Sequence, residues 1–246
     1  NLETELAAVE DPNLVYPEYY LRSFHAYDEG NLGWEPATEV EVAAKAVHAK
    51  IWPDTGANGD DRLRQSHLEL LQKHISEAPR DILDLGCSVG MSTFALQETY
   101  PHAKLTGVDL SPYFLAVARY QSQQRGAKMN WRHAAAENTG LPDNSFDLVS
   151  LFLVCHELPQ DATRKILTEV RRVLRPGGHL AIMDMNPASE IYAKMPPYVL
   201  TLLKSTEPYL DEYFAFDIAG EIEGAGFASP TIAFNSPRHR TIIAAG

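Results

Sequence analysis

Residues 81–92 read Asp-Ile-Leu-Asp-Leu-Gly-Cys-Ser-Val-Gly-Met-Ser, and this stretch constrains the fold more than any other. Ile, Leu and Leu with little polar alternation form a strand covered on both faces, as in a parallel sheet between two helical layers. The two glycines that follow allow a tight turn with close backbone approach, and the chain then resumes a helical pattern. Downstream the same alternation repeats, as in crossover units on a parallel sheet. The pattern predicts strands over 82–85, 104–109, 129–132, 146–154 and 179–185. Helices are expected over 91–99, 112–125 and 160–174. Ser111-Pro112 supplies an N-cap followed by proline at the first helical position, and Arg175-Pro176-Gly177-Gly178 reads as a turn. A helix over 211–223, a stop at Gly224 to Gly226, and strands over 231–234 and 240–244 joined through Ser236-Pro237-Arg238 as an antiparallel hairpin complete the chain.

Two segments stand outside the alternation. Residues 1–78 read as a helical N-terminal extension or lid, with helices near 39–51 and 62–76 and the tyrosine-rich run Tyr-Pro-Glu-Tyr-Tyr-Leu-Arg-Ser-Phe-His-Ala-Tyr. The core is expected over 79–246, interrupted by an insertion at 186–210 that would cap a ligand site at the carboxyl edge of the strands. A chain of 246 residues is long enough for one substantial core and an appendage. Its net charge of −12 opposes phosphate-coated partners, so nucleic acid is not an expected partner. With no apolar run of about 20 residues, no membrane span is expected. Two cysteines, Cys87 and Cys155, are too few for a disulfide framework and suit a reducing compartment. The expected location is soluble and intracellular, in cytoplasm or an organelle such as a plastid stroma, as a monomer or homodimer.

The ligand of the glycine turn follows from spacing. Gly86-Cys87-Ser88-Val89-Gly90 is G-x-x-x-G and lacks the G-x-G-x-x-G pattern of a pyrophosphate cradle, which counts against a nicotinamide oxidoreductase. The second strand ends Leu-Thr-Gly-Val-Asp-Leu-Ser-Pro, placing Asp109 where a carboxylate receives two ribose hydroxyls. An adenosine-type ligand fits both features. Asp84 could instead only cap the turn, and Asp109 could cap the next helix, although Ser111 already serves there.

Four stretches in order, Asp81–Ser92, Leu105–Pro112, Ala134–Val149 and Arg171–Asp184, resemble the successive motifs of class I S-adenosylmethionine-dependent methyltransferases. The closest flavour is the group that includes the ubiquinone and menaquinone biosynthesis enzymes. The resemblance implies a Rossmann-like, doubly wound, mostly parallel seven-stranded sheet with an antiparallel last strand, here with an N-terminal helical lid. The implied cofactor is S-adenosyl-L-methionine, with S-adenosyl-L-homocysteine as product. Asp84, Gly86, Cys87, Ser88 and Gly90 would hold its methionine end, Asp109 and Leu110 its ribose, and Ala136 and Glu137 its adenine, with Leu153 at the end of the fourth strand. Two departures bear on this assignment. The family often has glycine where this chain has Ser88, and an acidic residue where it has Ala135, so the adenine amino group would turn to Glu137, Asn138 or a backbone carbonyl.

Methyl transfer from a sulfonium is an in-line displacement, in which the protein aligns the nucleophile and, where needed, removes its proton. After the fourth strand comes Val154-Cys155-His156-Glu157, without the Asn/Asp-Pro-Pro-aromatic motif of exocyclic-amine methyltransferases. Asp184 and Asn186 alone do not make an oxygen cage, so no metal is expected. His156 reads either as a general base, paired with His25, or as a brace of its loop. Tyr16, Tyr20, Phe24, Tyr27 and Trp34, with Glu157, would wall an acceptor site, or the rings would merely fasten the extension to the sheet. The small-molecule acceptor is thus expected to be hydrophobic or phenolic, methylated at carbon or oxygen. The rival expectation is a catalytically silent S-adenosylmethionine-binding protein with a regulatory or assembly role.

Overall fold

A computed structural model describes residues 1–23, 25 and 27–246; Phe24, expected above at the acceptor site, lies outside the described residues. Seven strands form one sheet: β1 (Asp81–Leu85), β2 (Lys104–Asp109), β3 (Asn130–His133), β4 (Phe146–Phe152), β5 (Leu174–Met185), β6 (Thr231–Phe234) and β7 (His239–Ala245). Their order is β3-β2-β1-β4-β5-β7-β6. The first five run parallel, and β7 lies antiparallel between β5 and β6. This is the doubly wound order, with the first strand near the centre and a chain reversal beside it, where ligands settle at the carboxyl edge.

The helices follow from caps and burial patterns. In α5 (Pro112–Arg125), Ser111 accepts from the Phe114 N–H at 3.2 Å and Gly126 ends the helix in the left-handed region. In α6 (Gln160–Val173), Ala162, Thr163, Ile166, Leu167, Val170 and Val173 are buried, an apolar stripe at helical spacing. That stripe packs on Leu83, Leu85, Val149 and Leu151 together with α9 (Leu210–Phe214) and α10 (Ile218–Gly224). The opposite face of the sheet, through Ile82, Leu105 and Leu148, meets Leu68 and Leu71 of α3 (Gly59–His74) and Leu96 of α4 (Met91–Thr99). Each such fully buried side chain contributes about 1.5–3 kcal/mol.

The extension is more deeply integrated than a loose lid. Since α3 supplies part of one core layer, only residues before it remain to cover a site. α2 (Trp34–His48) is tied to α3 where the His48 imidazole meets Asp60 at 2.6 Å, and Arg64 bonds Asp60 at 2.9 Å and Ser92 at 2.7 Å. α1 (Leu2–Val9), which the sequence pattern did not suggest, sits on α5 through Glu5, bonded by Arg119 and Gln123.

Four boundaries differ from expectation. β4 ends at Phe152 rather than continuing to 154, because Leu153 takes φ +58° and Cys155–Glu157 forms a single 3-10 turn. The expected helix over 211–223 is two helices, with Asp217 capping the second through Gly220 N–H at 3.2 Å. Arg175 to Gly178 does not separate α6 from β5. The strand begins at Leu174 and bulges there, Leu174 lying opposite Phe146 and His179 opposite Leu148. The extension helices begin earlier, at Trp34 and Gly59. The insertion carries α7 (Glu190–Ala193) and α8 (Pro197–Thr206).

Candidate active site

The carboxyl ends of β1, β2, β4 and β5 bring the expected residues to one edge. At the end of β1, Asp84 is buried; one carboxyl oxygen accepts from Thr93 at 2.7 Å and the other has no partner among the described residues. Burial pushes its pKa up to about 7, against the Thr93 bond. Gly86 at φ +69° leaves no room for a side chain, since a Cβ there would lie 2.6 Å from Val154. Ser88 adopts φ +49°, which explains why glycine suits that place, and its hydroxyl is unpartnered among the described residues. Cys87 turns its buried thiol toward Gly107 of β2.

Asp109 bolts the turn to the next helix: its two oxygens accept from Ser88 N–H and Ser111 N–H, each at 2.8 Å. Burial raises its pKa to about 6 despite those bonds. The Leu110 carbonyl is held by His133 Nε2 at 2.9 Å. Ala136 and Glu137 sit on a tight turn closed by the Ala135–Asn138 bridge. Leu153 ends β4 with its N–H still bonded to the Met183 carbonyl at 2.8 Å, and its left-handed backbone is a strain kept at the strand edge.

The N-terminal segment sets one ring of its tyrosine-rich run against the turn at Glu137. In the 3-10 turn Glu18–Leu21, the Tyr19 hydroxyl donates to Glu137 at 2.6 Å. Tyr20 lies parallel to Tyr16 with ring centroids 6.2 Å apart, and Tyr16 reaches His133 at 3.2 Å. The Tyr20 hydroxyl is buried without a partner among the described residues; burial, then the charges of Asp109 and Glu157, raise its pKa. Tyr19 was legible only as one more aromatic in the run. Tyr27 and Trp34 fall elsewhere. Tyr27 donates outward to Glu39, and Trp34 packs edge-on against Tyr113 and bonds Glu3, so neither joins the wall expected of them. For Trp34 the reason is chain direction, since α2 starts there after the N-cap at Gly33 and sets the indole against Tyr113 of α5; for Tyr27 it is the outward bond to Glu39 of α2.

His25 and His156 do come together, around Glu157. His156 Nδ1 meets Asp184 at 2.7 Å, and its Nε2 lies 4.0 Å from Glu157 Oε1. His25 Nε2 lies 3.6 Å from the same Glu157 oxygen and 3.0 Å from Glu207 of the insertion. Side-chain exposure falls from 36% at His25 to 26% at Glu157 and 10% at His156, so the group runs from the rim inward. Burial disfavours a charged His156, but the Asp184 carboxylate more than offsets it and lifts the imidazole to about 10. Burial likewise opposes charge on His25, while Glu207 and Glu157 raise it. For Glu157 burial dominates the two imidazoles and raises the carboxyl to about 7. Glu207 was not singled out in the sequence, where it reads as one acid in a polar stretch. Among the described residues, no group of three or more His, Cys, Asp or Glu side chains is arranged to hold a metal ion.

S-adenosylmethionine fits this edge: an unpaired buried carboxyl oxygen on Asp84 for a cation, the close-approach cradle at Gly86, and Asp109 lone pairs beyond the two backbone bonds. Residues 82–178 match a methyltransferase domain family. The chain is 34% identical to the demethylmenaquinone methyltransferase of Thermus thermophilus over 46% of its own length and 50% of that protein. It is 31% identical to the ubiquinone biosynthesis O-methyltransferase of Nitrosococcus oceani over 58% of its length and 61% of that protein. It thus spans only about half to three-fifths of the curated relatives it matches here. A structure described as a SAM dependent methyltransferase from Aquifex aeolicus shares its fold, with TM-score 0.59 and 22% identity over 83% of this chain and 97% of that one. The matched residues 82–178 run from β1 into β5, so the likeness to methyltransferase domains falls on the parallel part of the seven-stranded sheet. No helix among the described residues is long and apolar enough to cross a membrane.

Proposed function

We propose that this protein transfers a methyl group from S-adenosyl-L-methionine to carbon or oxygen of a small, hydrophobic or phenolic acceptor. The observation that carries the reading is the juxtaposition, at one sheet edge, of the Asp84–Asp109 pair with the His25–Glu157–His156–Asp184 group under the Tyr16–Tyr20 stack. When bound, the cofactor supplies an electrophilic methyl. Asp84 and the Gly86–Gly90 backbone would hold its amino-acid end, Asp109 and Leu110 the ribose, and Ala136 with Glu137 the adenine. Residues before α3 would act as the lid and residues 186–210 as the cap, excluding water and orienting the acceptor. The quinone-pathway names of the relatives support an aromatic acceptor, and Tyr16, Tyr20 and Tyr19 provide flat apolar surface with polar tips. Calorimetric titration with S-adenosylhomocysteine, followed by mass spectrometry of cell extract incubated with protein and isotope-labelled methyl donor, tests the reading. Cofactor binding with a labelled aromatic product is expected. Binding without any labelled product would favour a silent binding protein, and absence of binding would overturn the reading altogether.

A further inference from the structure

We infer that Glu157, rather than either histidine, is the group that takes the proton from the methyl acceptor, and that His25 and His156 position and hold it. This rests on the methyltransferase reading of the site. The geometry at the imidazoles carries the inference. His156 Nδ1 faces Asp184 at 2.7 Å and its Nε2 faces Glu157 at 4.0 Å, so each ring nitrogen looks at a carboxyl group. A bare nitrogen lone pair directed at a carboxylate lone pair is repulsive, whereas an N–H is attracted. His156 is therefore held with both nitrogens protonated and has no lone pair to offer. His25 Nε2 stands between Glu207 at 3.0 Å and Glu157 at 3.6 Å, so that nitrogen carries its proton between two carboxyl groups.

Glu157 is the acid of this group that lies between the two rings, on the 3-10 turn leaving β4. Every side that packs against it contributes a titratable group: His25 from the lid segment, Tyr20 from the 3-10 turn before it, His156 beside it, Asp184 from β5 and Glu207 from the insertion. Burial, reinforced by two further acids and opposed by the two imidazoles, raises it toward neutrality, the range in which a general base works best at physiological pH. The step balances. The acceptor's oxygen or carbon forms a bond to the methyl carbon as the carbon–sulfur bond breaks, its electron pair remaining on sulfur. The acceptor's O–H or C–H proton passes to a Glu157 oxygen, giving a carboxylic acid that later releases the proton to solvent past His25 at the rim.

The test uses the full chain and does not depend on knowing the acceptor. Nitrogen-15 spectra of the histidine rings, assigned with His25→Asn and His156→Asn, report protonation directly, and carbon-13-edited infrared titration of labelled glutamate reports the carboxyl. The His156 imidazole is expected doubly protonated at pH 7, and His25 is expected to carry its proton on Nε2. One glutamate is expected to titrate near pH 7 and to vanish from the difference spectrum of Glu157→Gln, while Glu157→Asp retains a titrating acid. A neutral His156 ring at pH 7, or a Glu157 that titrates in the ordinary carboxylate range, would overturn the inference. With 1,4-naphthohydroquinone as probe acceptor, Glu157→Gln is expected to lower kcat 10²- to 10⁴-fold with S-adenosylhomocysteine affinity within about twofold of wild type. If the protein binds no S-adenosylhomocysteine the functional reading fails, while the spectra still decide the protonation of the group.

Discussion

His156 donates its Nδ1–H to Asp184 across 2.7 Å, and its main-chain N–H reaches the other oxygen of the same carboxylate at 3.2 Å. The turn after β4 is thereby pinned to β5 at the point where Glu157 leaves it. Asp184 in turn lies directly across from Arg240 on β7. An internal carboxylate with these partners is a hinge for both stability and protonation.

Asp184→Asn should therefore strand a buried imidazole without its counter-charge and cost about 3–5 kcal/mol in urea denaturation. The pH dependence has a definite sign. The folded imidazole sits near 10 and its ordinary value is 6.5, so the pair's contribution is full below about 6.5 and fades as pH climbs through about 10. Wild type should lose stability across that window, and Asp184→Asn should lose less; parallel decline of the two would show that the pair is not the source.

Cofactor binding should be pH dependent through Asp84. Burial raises this carboxyl from 3.8 to about 7, so at pH 6 the free protein holds it mostly protonated, and a cationic ammonium binds only the ionised form. Affinity should rise roughly tenfold from pH 6 to pH 8, with proton release on binding. Titration in buffers of different ionisation enthalpy measures that release, and Asp84→Asn should abolish both the slope and the release.

Much of this frame was legible because it is local. The strand, glycine turn and helix of residues 81–99 follow from apolar run, positive-φ positions and helix start, and Ser111-Pro112 marks α5 as a sequence can. What was not legible depends on distant packing. Nothing near Glu207 says that it meets His25, a contact between two segments far apart in the sequence. Tyr27 and Trp34 share the aromatic density of Tyr19 and Tyr20, and only their tertiary partners, Glu39 for Tyr27 and Tyr113 for Trp34, separate them from the ring that meets Glu137. The protonation of His156 was equally hidden, since Asp184 lies 28 residues away.

The anchor of the extension makes a stability prediction that is independent of catalysis. Burial opposes ionisation of Asp60, yet the His48 hydrogen bond and the Arg64 charge outweigh it and hold the carboxyl down at about 2. Its contribution is present above the ordinary 3.8 and is lost as pH falls toward 2. Asp60→Asn should cost about 3–5 kcal/mol at pH 7 by leaving Arg64 uncompensated between α3 and Ser92. Chemical denaturation at pH 7 and pH 3 checks it: the gap between variant and wild type should narrow at the lower pH, and a gap unchanged by acid would place the effect in packing.

The lid makes the last prediction. Tyr19 donates to Glu137, the residue assigned to the adenine, and Tyr20 faces Asp109, the residue assigned to the ribose, so the 3-10 turn rests on the same groups that the cofactor would engage. If the turn acts as the proposed lid, its opening breaks the Tyr19 bond before Glu137 is free. A hydrogen bond to a carboxylate contributes about 1.5–3 kcal/mol, so Tyr19→Phe should populate the open form about tenfold to a hundredfold more and speed S-adenosylhomocysteine association by a similar factor, with little change in melting temperature. Deleting residues 1–34 is a different perturbation, because it also removes α1 and its Glu5 bonds to α5, and should lower the melting temperature as well. Stopped-flow fluorescence on both variants separates the two roles. Slower association in Tyr19→Phe, or an unchanged rate in a variant as stable as wild type, would show that the turn does not gate the cofactor.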